Sequence, residues 1–419
     1  MSRLTQIAAF STAAAVAAAL AGCSGGASGT ASGDGGGDVT ISYSNFISNG
    51  GNEENLDAIV AAFEDENPGI IVDVATLPYA DYFTTLQTDL AAGTQADVFD
   101  IEYANFGTYV ADGVIAPLED VDTSVYRTSL ADAYSSDGAQ YALPSSFSNV
   151  VLFYNSDLFD AAGLDYPTSD WTWEDEKVAA EQLTDEAAGV YGDYQPISYY
   201  EYYKAVAQAG GDFLADDGIS VAFDSPEGIA AAEWLVGKSG TVMPTPEQGA
   251  GTPDYDSGLF LDGKLAMWHS GIWMFGALAD ATFNWDIAVE PGDAQKASAL
   301  FSNAVAVSSS SDEKEAAQAF AEFLTSSSTM VETRLDAGWE LPPVSDDSLL
   351  ASYLGKGAPA NRQAVFDALE NVALPPIVAE GQTEMQDIVS EELTEAAAGR
   401  KSVEEAVSSA AERVNAVIG

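Results

Sequence analysis

The chain has 419 residues, enough for two or three domains of about 100–200 residues each, and its 47% apolar and 19% charged residues fit a packed globular body. Asp and Glu number 66 against 14 Lys and Arg, a formal net charge of −52. A surface that acidic repels phosphate backbones and anionic lipid, which excludes nucleic-acid binding and electrostatic membrane adhesion and disfavours anionic solutes, unless one buried Arg holds the anion.

Residues 1–23 carry a positive start at Arg3 and then an uncharged, Ala-rich run from Ile7 to Ala21. At about 15 residues the run is too short to span a bilayer, which takes about 20, and has the length of a signal-peptide core. It closes on Leu20-Ala21-Gly22-Cys23, and Cys23 is the only cysteine. This resembles a bacterial lipobox, so residues 1–22 are predicted to be removed and Cys23 to be lipidated. Residues 23–38, rich in Gly, Ser and Ala, bury too little to offset chain entropy and read as a flexible tether. Anchor, tether and body describe a protein held on the outer face of the cell membrane by its lipid alone.

In the body, Val39–Tyr43 alternates as a strand and runs into Asn45 and Phe46. Leu56, Ile59, Val60 and Phe63 share one helical face, closed by Asn67-Pro68-Gly69. Residues 70–74 form a second strand, a helix carries Tyr82, Leu86 and Leu90 to Gly93, and residues 97–101 form a third strand. Strand alternating with helix predicts a parallel sheet covered by helices. Such sheets bind ligands beyond the carboxyl ends of their strands, where Asn45, Phe46, Glu102, Tyr103 and Asn105 fall. Further on, residues 150–155 read as a buried strand and residues 300–307 as another, and the stretch from 357 to the end is mostly helical. Asp216-Asp217-Gly218 reads as a turn rather than a calcium loop, because the ligand spacing of an EF-hand is missing.

From Pro144 to Asp160 the chain reads PSSFSNVVLFYNSDLFD. That segment resembles the signature of family 1 extracellular solute-binding proteins of ABC importers, although Ser145 stands where the pattern has an apolar residue. Thr172-Trp173-Glu174, Gly210-Gly211-Asp212-Phe213, Phe260 to Met267 with Gly271-Ile272-Trp273, Gly338-Trp339 to Pro342 and the closing Gly399 to Ala406 resemble further family segments in the same order. The resemblance implies an α/β, two-lobed periplasmic-binding-protein type II fold, each lobe a sheet flanked by helices, with the ligand cleft between. Lobe one would hold 39–147 plus 299–341, and lobe two 148–298 plus 342–419. Residues 144–149, with Phe147 among them, would be a hinge segment that absorbs rotation. The implied function is capture of a sugar or oligosaccharide and its delivery to the permease subunits of an importer, by a monomer.

Aromatic side chains suit such a ligand, since a sugar ring has an apolar face and a polar rim. Trp268, His269, Gly271 and Trp273, together with Trp339, are candidates for the cleft, whereas Trp173 and Trp234 read as core. The run Tyr199–Tyr203 puts aromatics on every face of a helix, so one or two must be exposed. Enzymatic chemistry finds little support. His269 is the only histidine and has no triad context, no His/Cys cluster marks a metal site, and no Gly-rich phosphate loop follows a strand. Neither catalysis nor cofactor nor metal is expected. The alternatives are a receptor for a polyol, phosphodiester or peptide, or a surface glycoside hydrolase working with two of the 66 carboxylates.

Overall fold

The computed structural model describes residues 38–418 apart from 50, 250, 251, 253, 254, 280, 379 and 380. The leader 1–22, Cys23 and all of the tether but Asp38 lie outside the described residues. Strand β1 (Val39–Asn45) pairs in parallel with β2 (Ile70–Thr76) and with β3 (Val98–Glu102). The helix Glu53–Glu66 connects the first pair and buries Leu56, Ile59, Val60 and Phe63, the face its periodicity predicts. The helix Tyr79–Ala92 precedes β3 and stops at Gly93, whose φ of +67° is the left-handed cap that glycine adopts at least cost.

A small hairpin, β4 (Ser135–Ser136) with β5 (Ala139–Gln140), precedes the long strand β6 (Ala142–Asn155). Strand β6 is the spine of the molecule. Its first half pairs antiparallel with β9 (Ser298–Val307), and its second half with β7 (Met267–Gly271) and β8 (Trp285–Ala288). In turn, β9 pairs with β3 at one end and with the short β10 (Val372–Ala373) at the other. The sheet order is β2-β1-β3-β9-β6-β7, so β6 and β9 run through both halves of one curled sheet. Residues 144–149, read as a hinge, belong to this buried ladder. Only a register shift between Pro144 and Ser146 interrupts it, where proline has no N–H to donate.

Helices cover the sheet. Gln382–Ala397 and Val403–Ile418 pack on each other and on Pro226–Lys238, burying Met385, Val389, Leu393, Val407 and Val414 in a core shared with Tyr199, Tyr202 and Phe213. A separate aromatic group, Phe46, Tyr82, Phe99, Phe106 and Tyr134, packs where β1 and β3 end. The segment at Asp216–Gly218 is a turn: the Asp217 carboxylate accepts from the backbone N–H of Ile219 and Ser220, and Leu214 bridges Val221. Among the described residues no helix is long and apolar enough to cross a membrane.

Candidate functional site

Beyond the ends of β3 and β7, flanked by β6 and β9, lies a cavity of about 1520 Å³. Four of the large hydrophobic side chains that stay exposed in this chain, Tyr79, Tyr200, Leu261 and Trp273, line it. Apolar surface left in water costs free energy, so its concentration in one concavity marks a binding surface.

One wall is built by the strand and turn after Met267. Trp273, 56% exposed, meets Phe301 edge to face at 5.8 Å, and Phe301 lies 6.2 Å from Tyr200. Gly271 makes this shelf possible. A Cβ at that position would stand 2.0 Å from Cζ3 of Trp273, so the indole folds back over backbone that only glycine leaves clear. Tyr200 is the exposed member of its helix, at 46%, while Tyr199, Tyr202 and Tyr203 are buried.

The facing wall comes from the end of β3 and the segment around Trp339. Glu102 accepts a hydrogen bond from Tyr79 Oη at 2.9 Å. Burial raises the Glu102 carboxyl above the usual range, that bond offsets part of the rise, and the charge of Glu340 adds to it. The Tyr79 phenol is pushed up to about 12 by the partial burial of its hydroxyl and by the Glu102 carboxylate that accepts its hydrogen bond. Trp339 donates through Nε1 to Ile47 O at 2.9 Å, and the buried Arg334 guanidinium lies 4.5 Å from its ring centroid. Arg334 is fixed in turn by donation to Ser145 O at 2.9 Å.

The residues singled out in the sequence divide into groups. Glu102, Tyr103, Phe147, Gly271, Trp273 and Trp339 line the cavity together. Trp268 and His269 border its floor, but their side chains are only 1% and 2% exposed. Trp268 packs on Phe153 and Phe260 and donates to Asp256 Oδ2 at 3.0 Å, whereas His269 lies against Glu176 and Glu290. Asn45 is buried, holding the turn after β1: its amide donates to Thr76 Oγ1 and its Oδ1 accepts from Ser48. Phe46 packs under Tyr79 at 5.3 Å, and neither it nor Asn105 lines the cavity. Sequence reasoning passed over Tyr79, Phe301, Glu340 and Asn303, whose amide donates to Glu340 at 3.4 Å. Tyr79 heads a helix just after Leu77-Pro78, and its exposure was the missing signal.

Residues 58–360 match the family model described as bacterial extracellular solute-binding protein. Among solved structures, the chain is 39% identical to the ABC substrate-binding protein from Listeria monocytogenes in complex with cycloalternan. That likeness covers 90% of this chain and 98% of the other, with a TM-score of 0.74. Among curated relatives, the galactooligosaccharide-binding protein of Bacillus subtilis is 29% identical over 299 residues, 68% of this chain and 69% of that one. The cyclic alpha-maltosyl-1,6-maltose binding protein from Arthrobacter globiformis, 24% identical with a TM-score of 0.75 over 91% of this chain and 99% of that one, shares the fold.

Proposed function

This chain belongs to the bacterial extracellular solute-binding protein family, and on that premise we propose that it captures a neutral oligosaccharide in the cavity between Trp273 and Trp339. It then hands the sugar to the permease subunits of an ABC importer. The single observation that carries the reading is the set of exposed aromatic rings, Tyr79, Tyr200 and Trp273, turned into one cavity beside Glu102, Glu340 and Asn303. Flat apolar faces match sugar rings, and carboxylates and amides match hydroxyls. At about 1520 Å³ the space exceeds the 300–1,000 Å³ of most small-molecule sites, so it suits several sugar rings rather than one.

Charge favours a neutral cargo. Glu102, Glu201, Asp256 and Glu340 line the cavity against Lys356 and Arg362, and both cations already donate to backbone, Lys356 to Leu335 O and Arg362 to Ala358 O. An anionic solute would meet like charge without a ready partner. The relatives named above point the same way, toward oligosaccharides.

In this reading residues 39–147 with 299–341 form one lobe and 148–298 with 342–419 the other. Their closure on the ligand gives contacts absent from the open form, and that difference shifts the equilibrium. No covalent chemistry is involved, and the chain acts as a monomer. Residues 1–22 serve as its export signal and a lipid on Cys23 holds it at the outer face of the membrane. Titration calorimetry of the mature chain against linear and cyclic α-glucooligosaccharides, galactooligosaccharides and organic phosphates tests the proposal. A neutral oligosaccharide should bind near micromolar, about −8 kcal/mol. Tight binding of a phosphate ester or peptide with silent sugars would overturn it.

A further inference from the structure

The carboxylates that line the sugar cavity, Glu102, Glu201, Asp256 and Glu340, have different surroundings. Glu201 is 5% exposed, and its Oε2 is held by Lys204 Nζ at 2.6 Å and by the Gln195 amide at 2.8 Å, so its charge is met inside the protein. Glu102 accepts from Tyr79, a phenol that is itself exposed, and Glu340 accepts from Asn303 at 3.4 Å. Asp256 differs from all three. It is half-buried in the helix Tyr255–Leu261, which also brings Leu261 to the cavity, and among the described residues no Lys, Arg or His pairs with it.

What fixes Asp256 is the Trp268 indole, whose Nε1 donates to Oδ2 at 3.0 Å. Trp268 is buried, with its ring 5.4 Å from that of Phe153 and 5.3 Å from that of Phe260, so the donor has no room to swing away. Among the described residues no donor is bonded to Oδ1. The carboxylate therefore stands at the cavity wall held by one oxygen, with the other available as an acceptor and no cation to neutralise it. A side chain already ordered by a packed neighbour loses little further entropy when a ligand arrives.

We propose that Asp256 is a specificity-determining residue of the sugar cavity: its Oδ1 accepts from a sugar hydroxyl, and Trp268, which holds Oδ2, is its positioning residue. The inference rests on the sugar reading above and adds a demand on the cargo. An ionised carboxylate only accepts, and hydrogen bonds to it are stronger than those between neutral groups. The ring beside Asp256 must therefore offer a free hydroxyl. A deoxy ring leaves the carboxylate unpaired once water is expelled, and a uronic acid adds like charge. Trp268 thus serves the ligand without meeting it, by passing the polarity of a buried indole to the cavity wall.

Titration calorimetry on the full mature chain tests this, using the tightest-binding neutral oligosaccharide of the panel above and its monodeoxy derivatives. Asp256→Ala should weaken the sugar about tenfold or more, and Asp256→Asn, which keeps an acceptor for the indole, roughly three- to tenfold. Asp262→Asn removes the same charge just past the same helix, at an exposed position outside the cavity, and should bind as the natural chain does. One monodeoxy derivative should bind the natural chain about tenfold more weakly than the parent sugar, and Asp256→Ala should not distinguish the two. A merely structural Asp256 would leave that deoxy penalty intact. Circular dichroism establishes that each variant is folded. If the alanine variant does not fold, the asparagine variant decides, with a deoxy penalty that shrinks about threefold or more. Equal affinity in the natural chain and the folded variants, or a deoxy penalty that no variant changes, overturns this proposal and leaves the sugar reading standing. A natural chain silent to every sugar overturns both.

Discussion

Gly271 and Trp273 share one space: the indole lies where a side chain at 271 would begin, 2.0 Å from an ideal Cβ. No heavy-atom contact survives at that distance, so Gly271→Ala must rotate the ring off its shelf against Phe301. The backbone φ at Gly271 is −85°, which alanine adopts freely, so the strand itself should persist. We expect Gly271→Ala to lower oligosaccharide affinity about tenfold while shifting unfolding by less than about 1 kcal/mol. Calorimetry with a thermal melt checks both numbers, and unchanged affinity would remove Trp273 from the ligand surface.

Trp268 and Trp273 sit five positions apart and should respond oppositely. Trp273 is half exposed, so Trp273→Ala removes ring contact with ligand, roughly 1–2 kcal/mol or five- to thirtyfold in affinity, and little stability. Trp268 is buried between Phe153 and Phe260, and Trp268→Ala should cost about 3–5 kcal/mol of folding free energy. Urea unfolding and sugar titration on the two variants separate the roles. A stability loss at Trp273 equal to that at Trp268 would contradict the assignment.

Lys204 is wholly buried between Glu201 and Glu290, at 2.6 and 2.5 Å. Burial alone would lower its pKa, but the two carboxylates outweigh that and hold it above the ordinary lysine value. Lys204→Met strands two carboxylates in a medium that solvates them poorly, so a loss of about 3–5 kcal/mol is expected. Equilibrium urea denaturation measures it, and a loss under about 1 kcal/mol would mean that water reaches the cluster.

Much of the first half of the fold is legible in the sequence because one periodicity dominates each element. The helical face of Leu56, Ile59, Val60 and Phe63 and the stop at Gly93 both stand where the pattern puts them. The pattern loses force where both faces of a strand are buried. In β7, Met267, Trp268 and His269 are all enclosed, so alternation cannot say which side chain meets the cavity. Residues 144–149 are Ser-rich and uncharged, and partners from β9, some 150 residues away, make them strand, a pairing that no local pattern announces. The cleft itself is assembled from distant segments. Tyr79, Glu102 and Glu340 meet only after folding, and nothing local to Tyr79 or Glu340 announces it. Single chemical points, such as the aromatic at Trp273 beside the small Gly271, were readable because their reason is local.

Asp100 supplies a pH dependence with a definite sign. Wholly buried, it accepts from Tyr43 Oη at 2.7 Å and from the backbone N–H of Phe46 at 3.1 Å. Burial outweighs these bonds and the charge of Arg334, and pushes the carboxyl up to about 7. An unfolded Asp titrates near 4, so between those values the folded chain binds the proton more tightly than the unfolded chain. Stability from this group is therefore full below about pH 4, falls as pH rises, and is gone above about pH 7, a span of roughly 3–5 kcal/mol. All other acids titrate in both chains, so the difference in urea stability between the natural chain and Asp100→Asn, followed from pH 4 to 8.5, isolates it. That difference should move in favour of the Asn variant as pH rises. Arg334→Met removes the favourable charge, so the midpoint should climb above 7, and it also takes away the cation against Trp339, so sugar affinity should fall severalfold. A pH-independent difference between the two chains would show that Asp100 is charged in the folded state at every pH tested.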